Sequence, residues 1–118
     1  VAIVDDEEPI RKALTRLLRS AGLEVASFPS GGEFLDSLPD HQPDCVVLDL
    51  HMPAVNGFEV QARLVKFGVP VVILTGHDSD ETRARSLAGH PAAYLCKPVN
   101  DQVLLDAIDL ALGCEPKK

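Results

Sequence analysis

Short, solidly apolar runs recur along the chain, and four of them stop dead at a polar residue. Residues 1–4 stop at Asp5 and Asp6, residues 45–48 at Asp49, residues 71–74 at Thr75, and residues 92–96 at Lys97. A strand buried on both faces reads as such a run, because helices cover it from either side. Residues 23–28 supply a further candidate strand. Helical spacing fills the intervals. Pro9 suits a first turn, Ile10, Leu14, Leu17, Leu18 and Ala21 repeat on one face, and Gly22 ends the run. Ser30-Gly31-Gly32-Glu33 matches a capping box ahead of Phe34, Leu35 and Leu38, with Pro39 as the stop. Phe58, Val60 and Leu64 mark a third helix, which Gly68 predicts to end early. Residues 78–80 can start a fourth, running to about residue 88. Asn100 caps a fifth, in which Val103, Leu104, Ala107, Ile108 and Ala111 face inward.

Strands and helices in strict alternation predict an α/β fold of the (βα)5 type. That is a doubly wound, parallel, five-stranded sheet of flavodoxin-like order 2-1-3-4-5. The 118 residues fit one domain, taken here as residues 1–113, with 114–118 as a tail or the start of a linker. Opening on Val1 rather than Met suggests a piece of something longer. Apolar residues at 46% and charged residues at 25% are ordinary globular usage, so disorder is excluded as the main state.

The net charge of −7 argues against direct nucleic-acid binding, since a duplex needs a basic face. Arg11, Lys12, Arg16 and Arg19 do share a segment, but Asp5, Asp6, Glu7 and Glu8 immediately precede them. No run approaches the ~18 apolar residues of a membrane span, and no charged-then-apolar leader opens the chain. The three cysteines, Cys45, Cys96 and Cys114, are far apart and lack metal spacing with the four histidines. Reduced thiols in the cytoplasm are therefore expected.

In such sheets the functional crevice lies beyond the carboxyl ends of the strands. There the sequence places Asp5, Asp6, Asp49, Thr75 and Lys97. With order 2-1-3-4-5, Asp6 and Asp49 converge at the switch point. Three carboxylates in one cleft demand a counter-charge. Hard oxygen ligands suit Mg²⁺, with Mn²⁺ as a substitute. Lys97 adds a second positive charge and Thr75 a hydroxyl. Such a site can stabilise a phosphoryl group, with Asp49 as the nucleophile.

Residues Val4-Asp5-Asp6-Glu7, Asp49-Leu50-His51-Met52-Pro53 with Gly57, Leu74-Thr75-Gly76-His77, and Tyr94-Leu95-Cys96-Lys97-Pro98 together resemble the receiver domain of bacterial response regulators. The resemblance runs across essentially the whole chain. It implies that Asp49 accepts a phosphoryl group from a histidine kinase or phosphotransfer domain. It also implies Mg²⁺ held by Asp6, Asp49 and the His51 backbone carbonyl, with Asp5 helping through water. Thr75 and Tyr94 would form a switch pair beside Gly76, Lys97 would bind phosphate, and Lys97–Pro98 would be cis. Phosphorylation would then reshape the surface of helix four, strand five and helix five, acting on an output domain or separate effector. His51 and His77 would line the path of the hydrolytic water and modulate phosphoryl lifetime.

Further expectations follow. The kinase would dock beside helix one, where Arg11, Lys12 and Arg19 point away from the apolar stripe. A phosphorylation-dependent homodimer would pair Arg83 and Arg85 with Asp101, Asp106 and Asp109. The family's usual Gly four residues before the switch aromatic is His90 here, which requires a left-handed His90 or an earlier helix end. A haloacid-dehalogenase-type phosphatase would need D-x-D after strand one, where Asp5 and Asp6 are adjacent. A nucleotide binder of the same sheet type would need a phosphate-receiving loop there, and four acids repel phosphate. A docking module without phosphorylation would be marked by loss of Asp49, Lys97 or the acidic pair, and all are present.

Overall fold

A computed structural model describes residues 1–39, 42–50, 57–76 and 79–113. The elements alternate strictly: β1 (Ala2–Val4), α1 (Glu8–Ser20), β2 (Ala26–Phe28), α2 (Gly31–Ser37), β3 (Val46–Leu48), α3 (Gly57–Phe67), β4 (Val71–Thr75), α4 (Asp80–Leu87), β5 (Ala93–Cys96) and α5 (Asp101–Ala111). All pairings are parallel, and the order is β2-β1-β3-β4-β5, as the alternation predicts.

Alternate strand residues feed two cores, one on each face. Ala2, Val4, Val46, Leu48, Val71 and Ile73 pack with Phe34, Leu38, Val60 and Leu64 of the α2–α3 segment. Ile3, Val47, Val72 and Leu74 pack with Leu14 and Leu18 of α1 and Leu104, Ala107 and Ile108 of α5. This period-2 split explains why β1 and β3, and β4 up to Thr75, carry no polar residue.

The cap signals hold. Ser30 Oγ accepts from Glu33 N at 3.2 Å, and Asn100 Oδ1 accepts from Gln102 N at 2.8 Å and Val103 N at 3.3 Å. Ser79 caps α4 by accepting from Thr82 N at 3.1 Å. Helix α3 ends at Phe67, where Gly68, at φ 70°, turns the chain, in keeping with the Gly68 signal. Three details correct the sequence reading. Strand β2 is only Ala26–Phe28, because Leu23 N still bonds to Leu18 O at the end of α1. Ala21 is exposed as the C-cap residue of α1. Val103 is 48% exposed rather than inward, because the buried stripe is centred on Leu104, Ala107 and Ile108 and Val103 falls on its rim.

Both anticipated backbone specials are present. His90 is left-handed at φ 54°, just past the end of α4, and Lys97–Pro98 is cis. Residues 114–118, expected to be a tail or the start of a linker, lie outside the described residues.

Candidate functional site

The sheet register sets the carboxylates side by side. Val4 is level with Leu48, so Asp5 and Asp49 emerge together from β1 and β3, and Asp49 N bonds to Val4 O at 3.0 Å. Carboxylate oxygens of Asp5, Asp6 and Asp49 all lie within 4.8 Å of one another. Asp5 is 2% exposed and Asp49 5%, whereas Asp6 is open to solvent. Gly57 closes the underside. A Cβ there would collide with the Asp49 carbonyl oxygen and Leu50 Cα, so the start of α3 can lie against this loop only without a side chain.

Lys97 answers the carboxylates from the end of β5. Its Nζ donates to Asp5 Oδ2 at 2.9 Å and lies 3.7 Å from both Asp49 Oδ2 and Glu7 Oε1. Burial alone would push the ammonium down. The hydrogen bond to Asp5 and the charges of Asp49, Asp5 and Glu7 outweigh it, so Lys97 sits above the ordinary lysine value. Lys97 N also bonds to Thr75 O at 2.8 Å, which ties β5 to β4 at the level of the site. Thr75 is fully buried at the end of β4, and Gly76 follows it beside the Lys97 side chain.

Asp5 does more than its role through water predicts. Besides Lys97, it accepts from Glu7 N at 2.9 Å through Oδ1, which shapes the turn into α1. Arg11 Nη1 donates to the Asp5 carbonyl at 2.8 Å. Arg11 is therefore half-buried and braces the β1–α1 loop beside the site, a contact that its place off the apolar stripe does not itself predict. Lys12 is exposed and pairs with Glu8 at 3.3 Å. Nothing in the local sequence separates these two bases, since only the folded loop decides which one meets a carbonyl.

Tyr94 is half-buried on β5, with Arg83 Cζ 5.3 Å from its ring centroid. Arg85 Cζ lies 4.1 Å from the Phe58 ring, toward α3 rather than α5. So the two arginines expected on one pairing face are turned to different aromatic rings. His51 and His77, expected to modulate phosphoryl lifetime, lie outside the described residues. The site brings Asp5, Asp6, Asp49 and Lys97 together, with Thr75 and Gly76 adjoining and Tyr94 on the same strand as the lysine.

Comparison with known proteins agrees with this geometry. The sequence model of the response regulator receiver domain matches residues 1–109. Nodulation protein W of Bradyrhizobium diazoefficiens is 36% identical, the match covering 100% of this chain and 53% of that protein. The transcriptional regulatory protein FixJ of Rhizobium meliloti is 34% identical over 94% of this chain and 55% of its own length. Among solved structures, a response regulator receiver protein from Burkholderia phymatum superposes with a TM-score of 0.85 at 44% identity, covering 95% of this chain and 93% of that one. The chain spans about half the length of the curated relatives it matches. It belongs to the response regulator receiver domain family, the signal-receiving module of two-component systems.

Proposed function

We propose that Asp49 is a phosphoacceptor that takes a phosphoryl group from a phosphohistidine on a kinase or phosphotransfer domain. The observation that carries this reading is the cluster of three carboxylates within 4.8 Å, with Lys97 2.9 Å from one and 3.7 Å from another. An Asp49 oxygen attacks phosphorus, the P–N bond to the donor imidazole breaks, and that nitrogen leaves with the electron pair and takes up a proton. The product on Asp49 is an acyl phosphate.

The donor set is all hard carboxylate oxygen, which fits Mg²⁺ or Mn²⁺. Asp6 and Asp49 would hold the ion, with Asp5 assisting and the His51 carbonyl completing the set. When bound, the ion neutralises charge on the transferring phosphoryl oxygens. Lys97 stands poised between Asp5 and Asp49 to turn toward those oxygens. Thr75 and Gly76 border the same space, and the Thr75 hydroxyl would be drawn to the phosphoryl group. Tyr94 would then move inward and shift the α4–β5–α5 surface between two populations. That surface would act on an output domain or a separate effector. Relatives named transcriptional regulatory proteins include TdiR of Thauera aromatica and FixJ of Rhizobium meliloti.

The test is acetyl phosphate with Mg²⁺, followed by intact mass. The parent should gain the mass of one phosphoryl group, and neither Asp49→Asn nor the parent in excess chelator should do so. An adduct persisting in either overturns the assignment.

A further inference from the structure

Helix α4 is attached to the domain in an unusual way. Its sequence is Asp-Glu-Thr-Arg-Ala-Arg-Ser-Leu, and its one buried residue is Ser86, a polar one. What holds it is polar on both sides. Toward α3, buried Gln61 donates Nε2 to Ser86 O at 2.9 Å, and Arg85 lies over Phe58. Toward β5, Arg83 lies over the ring of Tyr94. A guanidinium within about 6 Å of a ring centroid is attracted by the π face. Arg83 is exposed, so this face contact is made at the surface.

We infer that Arg83 is a latch on the switch: it holds the Tyr94 ring beneath its guanidinium and opposes the ring's movement toward Thr75. The inference rests on the phosphoacceptor reading of Asp49 and adds a regulator of that site. A ring that swings inward leaves the guanidinium and gives up the contact. Activation therefore works against Arg83, and the resting population of the inward state is lower for its presence. An exposed contact of this kind biases a two-state equilibrium by about two- to fivefold. Arg83 is a positioning residue, acting on the site only through Tyr94.

The chain offers a direct readout, because Tyr94 is its single tyrosine and it has no tryptophan. Tyrosine fluorescence therefore reports this ring alone. Two measurements suffice. The first is acrylamide quenching of Tyr94 in the free protein. The second is an equilibrium titration with beryllium in excess fluoride and Mg²⁺, beryllofluoride standing in for the phosphoryl group. The proteins are the parent, Arg83→Met, Arg83→Lys, Arg85→Met and Asp49→Asn, each checked for folding by far-UV circular dichroism. Arg83→Met should raise the quenching constant and lower the beryllofluoride midpoint about two- to fivefold, with Arg83→Lys between it and the parent. Arg85→Met should quench like the parent. An unchanged or higher midpoint in Arg83→Met overturns the latch, even if quenching rises. A parent that does not respond, or Asp49→Asn responding like it, overturns the phosphoacceptor reading instead. Unchanged quenching in Arg83→Met would then still overturn the latch on its own.

Discussion

Helices α1 and α5 grip the sheet with leucine and isoleucine, whereas α4 is attached through arginine, glutamine and serine. The difference separates two kinds of support. Leu14, Leu18, Leu104 and Ile108 fill one face under β1, β3 and β4, the strands that deliver Asp5, Asp49 and Thr75. Close-packed side chains of this kind hold the backbone firmly, because every displacement opens a void. Directional contacts of exposed arginines lose less when they shift. The acidic cluster is thus mounted on the closely packed side, and the helix next to Tyr94 is held by the weaker set of contacts.

The largest effect that could break this comparison comes from truncating one leucine on each side. Leu104→Ala should cost about 2–5 kcal/mol, whereas Leu87→Ala, at a position 49% exposed, should stay within about 0.5 kcal/mol. Urea unfolding of the two variants checks it. Equal losses would mean that α4 is anchored as firmly as α5.

A second effect belongs to the rigid side alone. Burial pushes the Cys45 thiol from 9.0 up to about 11. A folded-state pKa above the unfolded one favours the protonated, folded protein below pH 9, and this stabilisation is lost as pH rises from 9 to 11. The loss approaches roughly 3 kcal/mol. Across that window the parent should lose stability relative to Cys45→Ala, by denaturation at each pH. Parallel profiles would mean that the thiol is hydrated and this part of the core loose.

The same contrast governs what could be read before the structure was known. Strands β1, β3 and β4 were legible because burial on both faces leaves only apolar residues, and their polar stops marked the site. The caps at Ser30 and Asn100 were legible because capping is a local arrangement of three or four residues. Less could be read where distant residues decide. The ion pair of Lys97 with Asp5 joins positions 92 apart in sequence. Arg11 and Lys12 are adjacent bases with opposite fates, one on the Asp5 carbonyl and the other paired with Glu8. Edge strand β2 was overextended because Leu23 and Val25 are apolar for another reason: both pack against the α1–α5 core from outside the strand. Arg83 and Arg85 stand two residues apart and so leave different sides of α4, but which ring each meets, Tyr94 or Phe58, is decided by distant parts of the chain.

A smaller effect sharpens the comparison at the α3–α4 contact. Gln61→Ala removes the hydrogen bond to Ser86 O, which still accepts from Gly89 N at 3.0 Å. Because the carbonyl keeps a partner, the hydrogen-bond loss should be modest, about 0.5–1.5 kcal/mol. Hydrogen exchange should locate it, with α4 amides exchanging faster and α1 amides unchanged relative to global stability. Uniform acceleration in both helices would place Gln61 in the common core.

The smallest expected effect asks whether α4 unfolds with the rest of the domain. Asn100 caps α5 by accepting two backbone bonds, and Ser79 caps α4 by accepting one. Removing a cap costs a helix about 1 kcal/mol in either case. Where that cost is felt depends on what unfolds together. Helix α5 cannot open without exposing Leu104 and Ile108, so Asn100→Ala should lower global stability by the full amount. Helix α4 can open without exposing any buried apolar side chain of its own, so its amides should exchange through local opening, below the global free energy. Ser79→Ala should then speed exchange in α4 several-fold and move the global transition by less than about 0.5 kcal/mol. An Asn100-sized shift in the global transition for Ser79→Ala would show α4 to be part of the same cooperative unit as α5, and the division between a rigid mount and a loosely held switch helix would fall.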